Sequence, residues 1–242
     1  MCQLCEERRS RLSRRHLLGA GLAVAGMAAS SGLSSTPVFA QASVPPNAIT
    51  PDAALSRILD GNARYAGNTS TNKDFSAGRA ARAEAQYPVA AILGCADSRV
   101  APELVFDQGP GQLFIVRVAG NFINDDGLAS LEYGVNFLGV PLIIVLGHSG
   151  CGAVSATIKV IQEGTVLPGH LPELVKALKP GIEAAIKKKP SDLLVEATKE
   201  NVRHNVGRLQ TSGPVLKDVV AAGKLKVVGG YYDIATGKVS LV

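Results

Sequence analysis

Residues 141–147 read Pro-Leu-Ile-Ile-Val-Leu-Gly and are followed at once by residues 148–152, His-Ser-Gly-Cys-Gly. The apolar run offers no polar side chain for a solvent face, which is typical of a strand buried on both faces of a parallel sheet. Residues 89–94, Val-Ala-Ala-Ile-Leu-Gly, repeat this pattern and lead into residues 95–99, Cys-Ala-Asp-Ser-Arg. Two buried strands that end in chemically active side chains predict an α/β fold with a functional edge.

The rest of the chain alternates similar apolar runs with helical patterns. Further strands are predicted at residues 113–119, 226–233 and 239–242, the last two forming a hairpin. Helices are predicted over residues 51–65, 128–138, 153–163, 171–187 and 191–211, with a loop and a short helix over 68–82. We therefore expect a single α/β domain with a central, mostly parallel β-sheet flanked by helices, plus an N-terminal helical arm.

The composition is that of a folded protein without a nucleic-acid surface. The 242 residues are 46% hydrophobic and 19% charged, which excludes a disordered chain. Trp is absent and aromatic residues make up 5%, so base-stacking modules are not expected. Most of the net charge of +5 lies in residues 1–40, which hold five Arg and two Glu. The remainder offers no large cationic surface, and we expect no nucleic-acid partner.

The first forty residues resemble an export signal. Arginines precede the weakly apolar run 17–29, which is shorter than the roughly 20 residues of a membrane-spanning helix. Residues 38–40, Val-Phe-Ala, form a small-x-small cleavage pattern, and residues 13–18, Ser-Arg-Arg-His-Leu-Leu, resemble a twin-arginine signal. We expect residues 1–40 to be removed and the mature domain, residues 41–242, to be exported to the periplasm by the twin-arginine machinery, with no stable membrane span. The alternative is a basic N-terminal helix that stays attached.

The candidate chemistry is concentrated in Cys95, His148 and Cys151. Two thiolates and an imidazole suit tetrahedral Zn²⁺, and three protein ligands leave a fourth position open, as in catalytic sites. An exported protein with two cysteines is also compatible with a disulfide between them. A thioredoxin-like redox site is disfavoured because no CxxC includes either cysteine. Cys2 and Cys5 do form a CxxC, but they precede the expected cleavage site.

These motifs resemble the β-class carbonic anhydrase family. Residues 95–99, Cys-x-Asp-x-Arg, are followed about fifty residues later by residues 148–152, His-x-x-Cys-Gly. Residues 117–121, Arg-Val-Ala-Gly-Asn, and residues 130–133, Ser-Leu-Glu-Tyr, fit the family as well, and the likeness extends over residues 47–242. The resemblance implies a zinc enzyme that reversibly hydrates CO₂ to bicarbonate and a proton.

The resemblance also implies a role for each residue of the two main motifs. Zinc is bound by Cys95, His148 and Cys151 and makes hydroxide available near neutral pH. Asp97 accepts a hydrogen bond from this hydroxide while it is paired with Arg99, and it becomes a fourth zinc ligand when the pair breaks. A planar guanidinium suits such a bidentate pair. From the residues alone, Asp97 and Arg99 are also compatible with a solvated ion pair.

The substrate pocket is assigned by the same resemblance. It implies that Gln86 donates to a bicarbonate oxygen, that Phe114 and Tyr133 form apolar walls, and that Gly152 adjoins the last metal ligand. A mostly apolar pocket with few donors suits CO₂, which has no net dipole. Phe114 and Tyr133 are equally compatible with ordinary core positions.

Regulation and assembly follow from the resemblance in the same way. Ile92 stands where a gated subclass of the family has a Trp that helps to form a second, inhibitory bicarbonate pocket. Arg117 and Tyr232 match other positions that line this pocket, so the signal is mixed, and we expect an ungated enzyme. The resemblance implies a homodimer or homotetramer, with the helix at residues 51–65 packing on the partner.

Two other functions remain open at the level of the sequence. A hydrolase of COS or CS₂ on the same scaffold would act on similarly small, linear substrates with the same nucleophile. A non-catalytic protein that binds zinc or bicarbonate would be expected to lack Asp97 or Arg99, and both are present.

Overall fold

The computed structural model describes residues 44–242, and every structural statement below refers to this part of the chain. The expected export signal at residues 1–40, its cleavage site and the CxxC of Cys2 and Cys5 lie outside the described residues. The predicted removal of the signal and the domain boundary at residue 41 therefore stay predictions.

Within residues 44–242, five strands form one sheet. They are β1 (Ala90–Gly94), β2 (Leu113–Arg117), β3 (Leu142–His148), β4 (Lys226–Tyr232) and β5 (Val239–Leu241). Neighbouring strands follow the order β2-β1-β3-β4-β5, with every pair parallel except the antiparallel hairpin of β4 and β5. The mostly parallel sheet predicted from the apolar runs is confirmed.

Helices connect the strands and cover the sheet. In residues 44–242 they are α1 (Pro51–Ala66), α2 (Arg79–Glu84), α3 (Pro102–Val105), α4 (Asp125–Leu138), α5 (Gly152–Glu163), α6 (Leu171–Lys188), α7 (Leu193–Thr211) and α8 (Val215–Ala221). The five long helices match the predicted ones, and α2 is the predicted short helix. α4 begins three residues earlier than predicted, because the Asn124 side chain accepts a hydrogen bond from Gly127 N and caps the helix.

The sheet is covered on both faces. Alternate residues of the strands point to opposite sides, so Ile92 and Ile144 join one apolar cluster while Leu93 and Val145 join the other. The first cluster includes residues of α1 and α3, and the second includes residues of α4, α7 and α8. This double covering explains why the strands read as continuous apolar runs.

The predicted N-terminal arm, α1, packs on the sheet of its own chain. Ala54 and Ile58 of this helix are fully buried in the first cluster. The apolar face of α1 is therefore used within the chain, and packing on a partner subunit would have to use its outer face. None of the helices in residues 44–242 is both long and apolar enough to span a membrane.

The helices α5, α6 and α7 pack together beside the carboxyl edge of the sheet. A third apolar cluster there contains Cys95 and Cys151 together with Leu178 and Ile182 of α6. The helices α6 and α7 come very close at Gly181, where an added Cβ atom would lie 2.7 Å from Asn201 Cα. These three helices therefore form a wall that supports the edge where the functional motifs lie.

Candidate metal centre

The three predicted metal ligands converge at the carboxyl edge of the sheet. Cys95 follows β1, His148 ends β3, and Cys151 lies directly before α5. Their ligand atoms all lie within 4.8 Å of one another, and all three residues are buried. Both cysteines are free thiols in the structure, so the alternative of a disulfide is not what the structure shows.

Sheet topology explains this convergence. The strands β1 and β3 are parallel neighbours, so their carboxyl ends meet at one edge although the ligands are far apart in sequence. Between His148 and Cys151 the chain turns through Gly150, whose φ of 64° lies in the left-handed region that favours glycine. This turn brings Cys151 back toward the histidine ring.

The backbone fixes the orientation of the His148 ring. Ring atom Nδ1 lies 3.0 Å from the carbonyl oxygen of Ser149, so Nδ1 carries the proton and donates it. Ser149 is itself held, because its N–H donates to the carbonyl of Tyr232 and its Oγ accepts from Ile234 N. Among the described residues, no group makes a hydrogen bond to Nε2, which is buried. A histidine whose Nδ1 is held by a carbonyl and whose Nε2 has no other partner is oriented as a metal ligand requires.

Electrostatics at the two sulfurs favour one thiolate even without an ion. A hydrogen bond from Cys151 lowers the pKa of Cys95 against the effect of burial, and the imidazole of His148 and the N–H of Gly120 also lower it. Gly120 N lies 3.2 Å from Cys95 Sγ. The same pairing with Cys95, together with burial, raises the pKa of Cys151. Burial opposes a charge on His148, but the neighbouring Cys95 raises the pKa of the imidazole.

Asp97 and Arg99 form the bidentate pair that the motif implies. Arg99 Nε donates to Asp97 Oδ1 at 2.9 Å and Nη2 donates to Oδ2 at 2.7 Å. These bonds hold the pKa of the Asp97 carboxyl well below its usual range, although partial burial acts in the opposite direction. Oδ2 of Asp97 lies 3.9 Å from His148 Nε2, so the carboxylate is adjacent to the donor set while it stays on Arg99. The same pairing raises the pKa of Arg99.

The structure brings only one of the four predicted substrate residues to this centre. Gly152 follows Cys151 directly and begins α5. Phe114 pairs with Ala91, four residues before Cys95, which corresponds to about 13 Å along the strand. Tyr133 lies beside Phe114, with ring centroids 6.4 Å apart.

Gln86, the fourth substrate residue, lies before β1, in a cavity lined also by Gly111 and Gln112 from the segment before β2. Gln86 therefore lies at the amino end of the sheet. Phe114 lies near the same end, as the second residue of β2. Within one chain, Gln86, Phe114 and Tyr133 are separated from the metal ligands, and their binding of substrate stays a prediction.

The residues matched to the inhibitory bicarbonate pocket have other contacts here. Ile92 and Tyr232 are buried in the first apolar cluster. Arg117 donates from Nε to the Cys95 carbonyl at 2.8 Å and from Nη2 to the Asp97 carbonyl at 2.7 Å. The absence of gating stays a prediction.

Several supporting contacts escaped the sequence analysis because backbone atoms make them. The Gly120 N–H and the Ser149 carbonyl each contact a predicted ligand, yet neither has a side-chain signature. Asn201 of α7 donates to the Gly120 carbonyl at 2.8 Å and so supports the loop behind Cys95. An Asn among the apolar residues of a predicted helix suggests a buried hydrogen bond. The sequence does not show that its partner is Gly120, which lies 81 residues away.

A doubly covered parallel sheet whose carboxyl edge holds two cysteines and a histidine defines an α/β protein with a Cys₂His metal centre. A family model described as carbonic anhydrase matches residues 90–239. A carbonic anhydrase of Mycolicibacterium smegmatis is 41% identical over 192 residues, covering 79% of this chain and 93% of the relative. Carbonic anhydrase 2 of Mycobacterium tuberculosis is 37% identical over 192 residues, covering 79% and 92%.

Solved structures agree with the sequence relatives. A Coccomyxa β-carbonic anhydrase in complex with acetazolamide has a TM-score of 0.62 at 29% identity, covering 78% of this chain and 86% of that one. One of two tetrameric β-carbonic anhydrases of Sordaria macrospora has a TM-score of 0.63 at 23% identity, covering 78% and 97%, which shows the shared fold. The chain belongs to the β-class carbonic anhydrase family, a family of lyases, and the resemblance inferred from its motifs is confirmed.

Proposed function

We propose that this protein is a zinc enzyme that catalyses the reversible hydration of CO₂ to bicarbonate and a proton. The observation that carries the proposal is the convergence of Cys95, His148 and Cys151 beside a bidentate Asp97–Arg99 pair. Relatives that are named carbonic anhydrase and match most of this chain support it.

The donor set fits zinc. Two soft sulfurs and one imidazole nitrogen are preferred zinc ligands, and the buried His148 Nε2 has no other partner in the structure. Cys95, His148 and Cys151 would hold the ion and leave one coordination position for a small molecule. When bound, zinc would supply a Lewis acid that makes a water molecule nucleophilic near neutral pH.

Asp97 and Arg99 would orient the reaction. The pKa of Asp97 is lowered, so the carboxylate is ionised and can only accept a hydrogen bond. A hydroxyl nucleophile placed between Asp97 and the metal ligands would therefore point its O–H toward Asp97. Arg99 holds both carboxylate oxygens, one from Nε and one from Nη2. The pair therefore keeps the acceptor charged and aimed while leaving the coordination position open.

A second copy of the chain would complete the substrate pocket. Gln86, Phe114 and Tyr133 lie toward the amino end of β1 and β2, whereas the metal ligands lie at the carboxyl end. In a two-fold dimer, the same surface of each subunit can face the metal edge of the other. We propose a homodimer, or a homotetramer built from two dimers, in which the three residues of one subunit adjoin the ligands of its partner.

Metal analysis combined with a CO₂ hydration assay tests the proposed function. Protein starting at Gln41 is expected to carry about one zinc per chain and to hydrate CO₂, while Cys151→Ser is expected to lose the metal and the activity. Hydrolysis of COS measured on the same preparation separates the two reactions that this scaffold could perform. Zinc-loaded wild-type protein without CO₂ hydration would overturn the proposal.

We also propose that the protein is exported to the periplasm through the twin-arginine route. The support is the sequence pattern at residues 13–18 and the cleavage pattern at residues 38–40. Replacing Arg14 and Arg15 by Lys keeps the charge and removes the paired arginines. The double variant is expected to remain unprocessed inside the cell, and normal export of this variant would contradict the assignment.

A further inference from the structure

Arg117 ties the segment that carries Cys95 and Asp97 to the end of β2. It is the last residue of β2 and pairs with Gly94, the last residue of β1. Nε donates to the Cys95 carbonyl at 2.8 Å, and Nη2 donates to the Asp97 carbonyl at 2.7 Å. One guanidinium thus holds two alternate carbonyls of the same segment, a geometry that its planar fork favours and that a single ammonium cannot reproduce.

The Asp97–Arg99 pair cannot by itself fix where the Asp97 carboxylate lies. Both residues belong to the same short loop, and the Arg99 side chain is 53% exposed. Beyond Asp97, the one other hydrogen bond of its guanidinium to a described residue goes to the carbonyl of Gly150, at 3.3 Å. The pair could therefore move as a unit unless the Asp97 backbone is held from outside the loop.

The position of Asp97 matters because its carboxylate is close to the donor set. Oδ2 lies 3.9 Å from His148 Nε2, so a small displacement of the loop would place a fourth donor beside the three ligands. Besides Arg117, the peptide between Cys95 and Asp97 is held by Ala96 N, which donates to the Val118 carbonyl at 3.3 Å. Arg117 makes the shorter contacts and reaches Asp97 itself.

We propose that Arg117 is a positioning residue, which holds the backbone of Asp97 so that the carboxylate stays on Arg99 and the metal position stays open. The inference rests on the proposed function, since it assigns a new residue to that same centre. Its hydrogen bonds go to main-chain carbonyls and not to the ligand atoms of the centre. Its effect on the open position comes from the contact with the Asp97 carbonyl, and its contact with the Cys95 carbonyl holds the same segment.

Cobalt-substituted protein provides a readout that does not depend on activity. The visible spectrum of bound Co²⁺ changes when thiocyanate enters an open coordination position, so a titration measures how available that position is. Arg117→Ala is expected to keep one metal per chain and to bind thiocyanate about tenfold more weakly, the effect of losing one charge-assisted hydrogen bond. Adding Asp97→Ala is expected to restore the affinity, because the competing carboxylate is gone.

The matched control is Arg203→Ala, which removes an exposed guanidinium that is paired with Glu196 and Glu200 on α7. It is expected to leave the titration unchanged. Arg117→Lys keeps the charge with a single donor group and is expected to give an intermediate affinity. If Arg117→Ala does not fold, the thiocyanate affinity of Arg117→Lys tests the proposal instead.

Wild-type thiocyanate affinity in the folded Arg117 variants would overturn the proposal. Loss of metal from Arg117→Ala would overturn it as well, because Arg117 would then act on Cys95 rather than on Asp97. A wild-type protein that binds zinc but does not hydrate CO₂ would refute the proposed function, whereas the cobalt titration would still report on Arg117. The two failures are therefore distinguishable.

Discussion

At the scale of single residues, the Asp97 carboxylate is the group on which the proposed chemistry depends most directly. Its two oxygens are held by Arg99 and its backbone carbonyl by Arg117. The carboxylate is thus positioned through both its side chain and its main chain. Such double restraint is typical of a group whose direction, rather than its mere presence, determines the rate.

Asp97→Asn tests the need for a charged acceptor. The amide keeps the shape but can present a donor to the nucleophile, so activity is expected to fall by about 10²–10⁴-fold. Zinc content is expected to remain at the wild-type level, because Asp97 is not among the three converging ligands. Metal analysis and CO₂ hydration kinetics measure the zinc content and the activity. Full activity in this variant would show that Asp97 and Arg99 are a surface ion pair without a catalytic role.

Arg99→Ala is expected to fail for a different reason. Without the guanidinium, the Asp97 carboxylate loses its two charge-assisted bonds and can turn toward the ligands, which lie 3.9 Å away at His148 Nε2. The variant should be inactive with zinc retained, and a crystal structure should show Asp97 as a fourth ligand. Arg99→Ala with Asp97 still turned away and with normal activity would contradict this switch.

At the scale of secondary-structure elements, the crossing of α6 and α7 supports the centre from behind. Gly181 allows the two helices to approach, and Asn201 at the crossing donates to the Gly120 carbonyl. Gly120 in turn donates its N–H to Cys95 Sγ. A chain of three contacts therefore leads from a helix crossing to a metal ligand.

Gly181→Ala is expected to destabilise the protein and to weaken metal binding. The added methyl group would lie 2.7 Å from Asn201 Cα and 2.9 Å from Asn201 N, so the backbone of α7 must shift, at a cost of about 1–3 kcal/mol. Thermal unfolding and a chelator competition measure the two effects. The control is Gly207→Ala on α7, where no atom lies within 4 Å of the added methyl, and a gain of about 0.5–1 kcal/mol is expected.

Asp107 gives an element-scale prediction with a defined pH dependence. It follows α3, and its buried carboxylate accepts hydrogen bonds from the N–H groups of Thr71 and Asn72 and from Arg64 Nε. Burial would raise the pKa of Asp107, but these donors outweigh it and hold the pKa well below the ordinary range. The carboxylate therefore ties the loop before α2 to the segment after α3.

The stabilisation by Asp107 should be present at neutral pH and lost in acid. Because the pKa is lower in the folded state, stabilisation is complete above the unfolded value of about 3.9 and disappears as the pH falls through the folded value. Asp107→Asn is expected to cost about 2 kcal/mol at pH 7. Urea unfolding at pH 7 and pH 3, with exposed Glu103→Gln as the control, measures whether the difference shrinks in acid.

The elements also show what the sequence could and could not predict. Strands β1 and β3 could be predicted because a strand that is buried on both faces has a continuous apolar sequence. The helices α3 and α8 were missed, because four and seven residues are too few to display a helical period. The ligands were predictable because active side chains follow buried strands.

The sequence could not show that Phe114 and Cys95 lie at opposite ends of the sheet. A motif shows which residues are near in sequence, but not at which end of a strand the chain places them. Phe114 lies near the start of β2, and Cys95 lies beyond the end of β1. Only the register of the sheet reveals that parallel strands place these residues at opposite ends.

At the scale of the whole molecule, an aromatic surface marks the face where a partner is expected. Tyr133 and Phe137 on α4 are stacked with ring centroids 5.3 Å apart, and they are 49% and 72% exposed. Phe114, implied as a wall of the substrate pocket, lies beside Tyr133. The exposed pair therefore adjoins the substrate residues that one chain leaves far from its metal ligands.

Phe137→Asp is expected to weaken the dimer and to abolish most activity without loss of zinc. A charge at the centre of a dimer interface is costly to desolvate, whereas the metal ligands belong to one chain. Sedimentation analysis, metal content and CO₂ hydration are measured on the same sample. Val166→Asp, at a loop position that is 91% exposed, is the control and should stay wild-type in all three. A monomeric, fully active Phe137 variant would refute the shared pocket.

The route of the chain through the sheet also determines how far apart the metal ligands lie in sequence. β1 and β3 lie side by side, yet β2 and α4 separate them in sequence. The contact of Cys95 with His148 and Cys151 is therefore non-local in sequence, a kind of contact that slows folding. An ion held by all three ligands would therefore bridge β1 and β3. Because a ligand that binds only the folded state opposes unfolding, such an ion would stabilise the pairing of the two strands at the centre of the sheet.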